Sequence, residues 1–375
     1  MGDIIKRVER KILLNPGPAT TTDSVKNAQI VPDICPREQE FGELVESISK
    51  DLIKIAGGDD DYTCVLIGGS GTAGMEAALS SAVNGKALII NNGAYGERFA
   101  KIADAYLIDY EELFFHWDEE INLEKIENAL KSFNIQNIVM VHHETTTGIL
   151  NPVKEVGELA KKYKCIFIVD AISSFAGIPF SIKDYNIDFM ISTSNKCIQG
   201  MPGIVFVICK KSALENTKDN QRKSFYLNLY SQQEYFKKEG QFRFTPPVQT
   251  VYALRQAIDE FLEEGAENRY KRYRESYETL VDGMKRLGFK KIYDKIKESG
   301  ILTTFWEPED QNYSFKKMHD LLYEKGFTIY PGKIKEKTFR LANMGAINSD
   351  DIRSFLNAMK ETIEEMNLNL DNLFK

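Results

Sequence analysis

Between Tyr62 and Cys209 one unit recurs in the sequence: a short apolar run, a turn rich in glycine and hydroxyl side chains, then an amphipathic segment. The runs are Tyr62–Ile67, Ala87–Ile90, Ile138–Val141, Cys165–Val169, Ile187–Ile191 and Ile204–Cys209, with a further short strand expected inside Glu111–Trp117. Most lack alternation, the pattern of strands buried on both faces. Intervening segments carry helical spacing instead, as in Met75, Ala78, Leu79 and Ala82, or Leu123, Ile126 and Leu130. Strands alternating with helices predict an α/β fold with an open, mostly parallel sheet wrapped on both faces. In such sheets ligands collect outside the carboxyl ends of the strands, so chemistry is sought in the turns.

The turns differ in what they bring to that rim. Gly68 to Gly74, GGSGTAG, joins a strand to a helix N-terminus, where free amides and the helix dipole favour an anion. Ser70 and Thr72 add hydroxyl donors; without the lysine of a P-loop or the register of a dinucleotide motif, the turn predicts a phosphate cradle or a capped tight turn. Tyr95, flanked by Gly93 and Gly96 at a helix start, is placed either to cover a flat ligand or for ordinary packing. The turn His142 to Gly148 offers Thr145 or Thr146 as a ligand hydroxyl. Its adjacent histidines point to opposite faces of a strand end and make a poor metal pair. Asp170 and Lys196 close two neighbouring strands. Each alone reads equally as a surface strand end, but a carboxylate and an amine meeting glycines, hydroxyls and a ring suit a pyridine-containing carbonyl cofactor.

Flanking this block, Asn15-Pro16-Gly17-Pro18 is a rigid turn that holds bare main chain against a ligand or serves as a connector. Thr22 to Ser24 can cap a short helix, and Phe41 to Ile55 is amphipathic. Lys210 to Gly240 is polar and Tyr-rich and reads as an excursion over the surface or against a partner chain. Phe244-Thr245-Pro246-Pro247 is a second rigid turn, followed by one or two long helices from Val251 to about Leu287 with Gly265 as a break. Strand and helix signals beyond Ile301 predict a small α+β domain. Its Arg340, inside TFRLANMG, needs either an internal ion pair or a ligand anion, which a guanidinium clamps through its planar fork. The division expected is a large domain over 16–260 and a small one over 261–375, joined by the segment 1–15.

Lysine plus arginine number 48 and aspartate plus glutamate 55, a net charge of −7 that does not suggest a nucleic-acid partner. The five scattered cysteines lack CxxC spacing and read as reduced thiols of a cytoplasmic protein. The start MGDIIKRVERKILLN has no sustained apolar core, Arg7 disagrees with a myristoylation signal, and no run approaches the roughly 18 apolar residues of a membrane span.

In order along nearly the whole chain, LLNPGPATTT, GGSGTAGMEA, NNGAYGER, HHETTTGIL, VDAISSFAG, SNKCIQGMPG, FTPPVQT and FRLANMG resemble the class V aminotransferases of fold type I, which use pyridoxal 5'-phosphate. The resemblance implies a mostly parallel large domain with a smaller α+β C-terminal domain. It implies that Lys196 carries the cofactor covalently, Asp170 pairs with its ring nitrogen, Tyr95 stacks on one face and Ile172 packs the other. Ser70, Gly71, Thr72 and Asn195 would serve the phosphate, with Thr245 from the neighbouring subunit of a homodimer. Thr145 would face the phenolic oxygen and Arg340 the substrate anion; His143 has no implied role, and no metal is implied. Within the class, SNKCIQG and HETTTG are most similar to enzymes that move the amino group of 2-aminoethylphosphonate to pyruvate in phosphonate degradation. Alanine– or serine–glyoxylate transfer is the nearest alternative. Sulfur transfer is disfavoured because Cys197 abuts the cofactor lysine and no cysteine sits in a glycine-rich loop of the small domain.

Overall fold

The computed structural model describes residues 8–220, 223–293 and 296–369. The first seven residues, on which the reading of the N-terminal segment partly rests, lie outside the described residues. The chain begins β1 (Ile12–Leu13), α1 (Asp23–Asn27), α2 (Gln39–Ile55), β2 (Tyr62–Gly68), α3 (Gly71–Ala82), β3 (Lys86–Asn91), α4 (Ala94–Ala105) and β4 (Tyr110–Phe114). It continues α5 (Leu123–Ser132), β5 (Ile135–Val141), the two-stranded β6 (His143–Glu144) and β7 (Ile149–Leu150), α6 (Val153–Tyr163), β8 (Ile166–Asp170), β9 (Phe189–Thr193) and β10 (Ile204–Lys210). Beyond these come α7 (Lys211–Glu215), α8 (Leu229–Glu239), α9 (Val248–Glu264), α10 (Ala266–Arg286), β11 (Leu302–Trp306), α11 (Phe315–Glu324), β12 (Phe327–Thr328), β13 (Tyr330–Pro331), β14 (Thr338–Ala342) and α12 (Ser349–Glu365).

Seven strands form one sheet in the order β2-β10-β9-β8-β5-β3-β4. Both faces are dry. Along β3, Leu88 and Ile90 enter one apolar cluster while Ala87 and Ile89 enter the other, and along β10 Ile204, Phe206 and Ile208 oppose Val205, Val207 and Cys209. The larger of these side chains each contribute roughly 1.5–3 kcal/mol on burial, and the double-sided demand explains why these runs do not alternate. All neighbouring pairs are parallel except those of β10, which is antiparallel to both β2 and β9. The reversal has a simple cause: the connection 194–203 is too short for a crossover helix, so the chain turns straight back. Lys196 lies in that tight return, at the rim where the carboxyl ends of β2, β3, β5, β8 and β9 gather.

The smaller α+β part is built on the antiparallel sheet β11-β14-β13, with Phe305, Phe339 and Leu341 packed against α10, α11 and α12 through Leu280, Met318 and Phe355. The N-terminal strand β1 pairs with β12, and Ile12 and Leu14 enter the same cluster. Between the two sheets, α9 ends and α10 begins at Gly265, whose φ of +80° lies in the region that favours glycine. One expectation needs revising. The Tyr-rich stretch contains the helix α8, seated by buried Leu229, Gln232 and Gln233, and Tyr226 Oη donates to the Gly68 carbonyl at 3.3 Å. Glutamines and lysines dilute the helical periodicity there, which is why the stretch reads as irregular. Among the described residues no helix is long and apolar enough to cross a membrane.

Candidate functional site

Lys196 points its amine at the N-terminal turn, where Nζ donates to the Pro16 carbonyl. Gly17 lies against the aliphatic part of the same side chain; its φ is +120°, and a Cβ there would overlap Lys196. The Ala19 amide donates to the Asn195 carbonyl at 3.0 Å, so the NPGPAT turn is laid directly along the lysine loop. From behind, α10 fixes that loop: Arg269 Nη1 donates to the Cys197 carbonyl at 2.9 Å, and Gln199 Nε2 to Tyr273 Oη at 2.7 Å. Burial holds the Lys196 amine below its ordinary pKa, which favours the neutral, nucleophilic form. Cys197 is fully buried and its thiol is pushed up to about 12 by burial, so it is inert as a nucleophile.

Asp170 ends β8 with its carboxylate 3% exposed and one hydrogen bond, from the Ile172 amide at 2.8 Å. Burial raises its pKa to about 7; Glu144 adds to the rise, while the Ile172 bond, Lys196 and Arg98 oppose it. A buried carboxylate so placed favours a cationic N–H donor, which the ring nitrogen of pyridoxal phosphate provides when protonated. Next to it in the chain, Ile172 joins Ser70, Gly71, Thr72, Tyr95, Asn195 and Lys196 in lining one cavity of about 390 Å³. Gly71 opens α3 with no side-chain cap from Ser70 and no acidic residue in the first turn, leaving the helix N-terminus to an anion. A Cβ on Gly71 would meet Ile172 Cδ1 at 2.7 Å, so bare backbone is required. Thr145 Oγ1 is buried without a hydrogen bond of normal length, whereas Thr146 Oγ1 is engaged. Of the two candidate hydroxyls, Thr145, beside the Tyr95 phenol, is the one with capacity left for a ligand. An anion cradle, a ring and an amine of lowered pKa around one cavity, with the buried Asp170 two residues before Ile172 and the Thr145 hydroxyl beside the Tyr95 phenol, together fit pyridoxal phosphate.

Of the adjacent histidines, His142 is held by packing and a hydroxyl, while His143 is buried with Nδ1 3.5 Å from the Ser173 carbonyl and Nε2 unpartnered among the described residues. His142 Nδ1 lies 2.9 Å from Ser174 Oγ and its ring sits edge-on to Phe180, and burial lowers the pKa values of His142 and His143 to about 4 and about 3. Arg340 is 2% exposed on β14; it donates from Nη1 to the Thr145 carbonyl at 2.9 Å and from Nε to the Pro331 carbonyl at 3.0 Å. Among the described residues no carboxylate forms an ion pair with it, so the internal-ion-pair alternative is not what the fold provides. Thr245 is exposed and does not line the cavity around Lys196 in its own chain.

Three further residues belong to the site. Arg98 Nη1 donates to Thr72 Oγ1 at 3.2 Å and its guanidinium lies 4.7 Å from the Tyr95 ring centroid, adding a cation to the anion cradle. Its position one turn after Tyr95 within NNGAYGER was a legible signal. Lys333, from the small sheet, approaches the same ring. Glu144, fully buried, accepts from the amides of Tyr95 at 3.2 Å, Gly96 at 3.3 Å and Thr146 at 3.0 Å, and from Thr146 Oγ1 at 2.6 Å. Thr146 Oγ1 in turn accepts from the Ala94 amide at 2.9 Å, so the 144–146 turn caps the helix that carries Tyr95. No local pattern shows that a carboxylate in one turn caps a helix fifty residues earlier. Glu144→Ala leaves buried amides unpaired, each costing about 1–3 kcal/mol. We expect a lower thermal midpoint together with weaker cofactor affinity, the two measured by calorimetry and by titration of the apoprotein. Glu144→Gln, which retains an acceptor oxygen, should recover part of both.

Residues 24–333 match the family described as Aminotransferase class-V. Over 359 residues the chain is 42% identical to the 2-aminoethylphosphonate–pyruvate transaminase of Bacteroides fragilis strain YCH46, covering 94% of this chain and 98% of that protein. It is equally 42% identical, across 94% of its length, to a bifunctional phosphonoacetaldehyde hydrolase/aminoethylphosphonate transaminase of Clostridioides difficile strain 630, of which it covers 56%. Among solved structures, a ureidoglycine–glyoxylate aminotransferase from Bacillus subtilis superposes with a TM-score of 0.89 at 23% identity, over 97% of this chain and 95% of that one. At that identity the likeness is one of fold.

Proposed function

We propose that this chain, which belongs to the class-V aminotransferase family, transfers the amino group of 2-aminoethylphosphonate to pyruvate, giving phosphonoacetaldehyde and alanine. The observation that carries the reading is the buried Arg340, a guanidinium without a carboxylate partner among the described residues, bonded to the carbonyl of Thr145, whose hydroxyl lies beside the Tyr95 phenol. Such a group demands an anionic substrate. The amino donor is taken from the activity in the names of relatives that share 42% identity over nearly the full chain, one of which is joined to a hydrolase for the aldehyde product.

Pyridoxal phosphate, when bound, supplies an electron sink for the charge that develops on the substrate carbon. Lys196 holds it covalently between turnovers. The GGSGT turn, Asn195 and Arg98 take its phosphate, Tyr95 and Ile172 enclose the ring, Asp170 accepts from the ring nitrogen and Thr145 faces the phenolic oxygen. Arg340 binds the phosphonate in one half-reaction and the pyruvate carboxylate in the other, fixing the amine-bearing carbon beside Lys196. With its amine free, Lys196 would take the proton of that carbon on Nζ and hold it for return within the same site, a task suited to a lysine whose burial lowers its pKa. Two products leave in sequence, so ping-pong kinetics follow.

A homodimer completes the site in this reading, with Thr245 on its exposed rigid turn reaching the partner's phosphate cradle. The cytoplasm is its compartment, in keeping with five free cysteines. The test is a panel of amines, 2-aminoethylphosphonate, alanine, serine and ureidoglycine, mixed with the loaded protein while cofactor absorbance is followed. Rapid bleaching by 2-aminoethylphosphonate and return by pyruvate are expected; a preference for serine with glyoxylate would sink the assignment.

A further inference from the structure

The smaller sheet delivers a second cation to the substrate side of the site. Lys333 Nζ lies 3.4 Å from Tyr95 Oη and 4.7 Å from the centroid of its ring. It is carried by the hairpin that also carries Arg340: Tyr330 pairs with Arg340 and Pro331 with Phe339, and the Gly332 amide donates to the Thr338 carbonyl at 2.7 Å. Lys333 is thus the first residue beyond the ladder, tied by register to the strand of Arg340. Among the described residues it makes no ion pair. Glu97, Glu112 and Glu336 line the adjoining cavity with it, but Glu97 pairs with Lys101 at 2.5 Å, Glu112 accepts from Asn91 at 2.6 Å, and Glu336 makes no ion pair with Lys333. Its ammonium therefore rests on an aromatic face and a phenol oxygen, a modest hold that a true anion outcompetes.

The cations around Tyr95 divide by position. Arg98 lies with Thr72 at the phosphate cradle, Lys196 is the reacting amine, and Arg340 and Lys333 remain on the side of the smaller sheet. One guanidinium matches a carboxylate. A phosphonate has three oxygens and, like a phosphate monoester, carries more than one charge near neutral pH.

We propose that Lys333 is a specificity-determining residue that leaves the Tyr95 ring to bind the phosphonate alongside Arg340, favouring that donor over amines bearing a carboxylate. The proposal rests on the assignment of 2-aminoethylphosphonate as donor. In keeping with that geometry, the Tyr95 phenol, which burial alone would raise, is held below its ordinary pKa by Lys196, Lys333, a hydrogen bond with Thr145 and Arg98, so the charge of Lys333 is felt at the phenol.

The experiment follows each half-reaction separately, in single turnovers of the loaded enzyme with 2-aminoethylphosphonate or with alanine, for wild type, Lys333→Met and Lys333→Arg. We expect Lys333→Met to weaken half-saturation by the phosphonate by about tenfold or more, the scale of a lost charge-assisted hydrogen bond, and by alanine less than about threefold. Lys333→Arg should restore most of the loss. Equal effects on both donors, or none on either, overturn the role of Lys333 while leaving the donor assignment intact. A wild-type enzyme that reacts with alanine but not with 2-aminoethylphosphonate overturns the assignment and the role of Lys333 with it.

Discussion

Lys196→Ala abolishes useful transamination: kcat is expected to fall by at least about a thousandfold, since the variant loses both the covalent anchor and the group that moves the proton. Borohydride treatment of the wild type should fix the cofactor to the chain and add its mass, whereas the variant should gain none. The amine is embedded between the NPGPAT turn and the α10 side of its loop, with Pro16 as its acceptor and Gly17 along its stem. Truncation leaves that packing only partly filled, so folding must be checked by circular dichroism. A small soluble amine such as methylamine should restore some turnover, because the missing chemistry is a proton transfer in a cavity that the truncation enlarges. Full activity in a correctly folded Lys196→Ala protein would refute the assignment of this residue, and activity lost without any rescue in an unfolded one would say nothing about chemistry.

The sheet and the rim were legible because strands buried on both faces leave unbroken apolar runs, and because glycine and hydroxyl turns follow them at once. Asp170 stood out because it ends a run, and Lys196 because it follows the next run after the short polar turn Ser192 to Asn195. The antiparallel course of β10 was implicit in the shortness of 194–203, where no crossover could fit. What escaped were contacts between distant segments. Glu144 sits in a quoted motif, yet its work is to cap the helix of Tyr95, and its full burial depends on Gly93, whose Cβ would meet the carboxylate at 2.5 Å. Arg269 and Tyr273 look like ordinary members of a charged helix until α10 is laid behind the lysine loop. A hydrophobic period locates the faces of a helix; it is blind to which polar residue on the buried face meets a carbonyl from another part of the chain. Thr145 and the engaged Thr146 are likewise indistinguishable in sequence, since their difference lies in the side from which the Ala94 amide arrives.

Asp170→Asn should be the second most damaging change, and its effect should depend on pH in a defined direction. The carboxylate is buried with a single amide donor, and burial raises its pKa from the ordinary 3.8 to about 7. A carboxyl group whose folded pKa is raised binds a proton more tightly in the folded chain than in the unfolded one. In the apoprotein its contribution to stability is therefore fully present below about pH 3.8 and is lost as pH rises through about 7. Cofactor binding reverses the preference, because a cationic ring N–H favours the ionised carboxylate, so loading should release a proton below neutrality. Cofactor affinity of the wild type should then rise with pH up to about 7, whereas Asp170→Asn should lack that component. Lys196 and Glu144 also titrate in the site, so the informative quantity is the difference between wild type and variant at each pH. Removing one partner of a buried pair costs about 3–5 kcal/mol, which predicts a loss of roughly two to three orders of magnitude or more in kcat for Asp170→Asn even when saturated with cofactor. Glu at this position should rescue only in part, since the extra methylene moves the carboxylate away from where the Ile172 amide meets it. If the affinity difference between wild type and Asp170→Asn were flat with pH, the carboxylate would not be the group that the ring nitrogen meets.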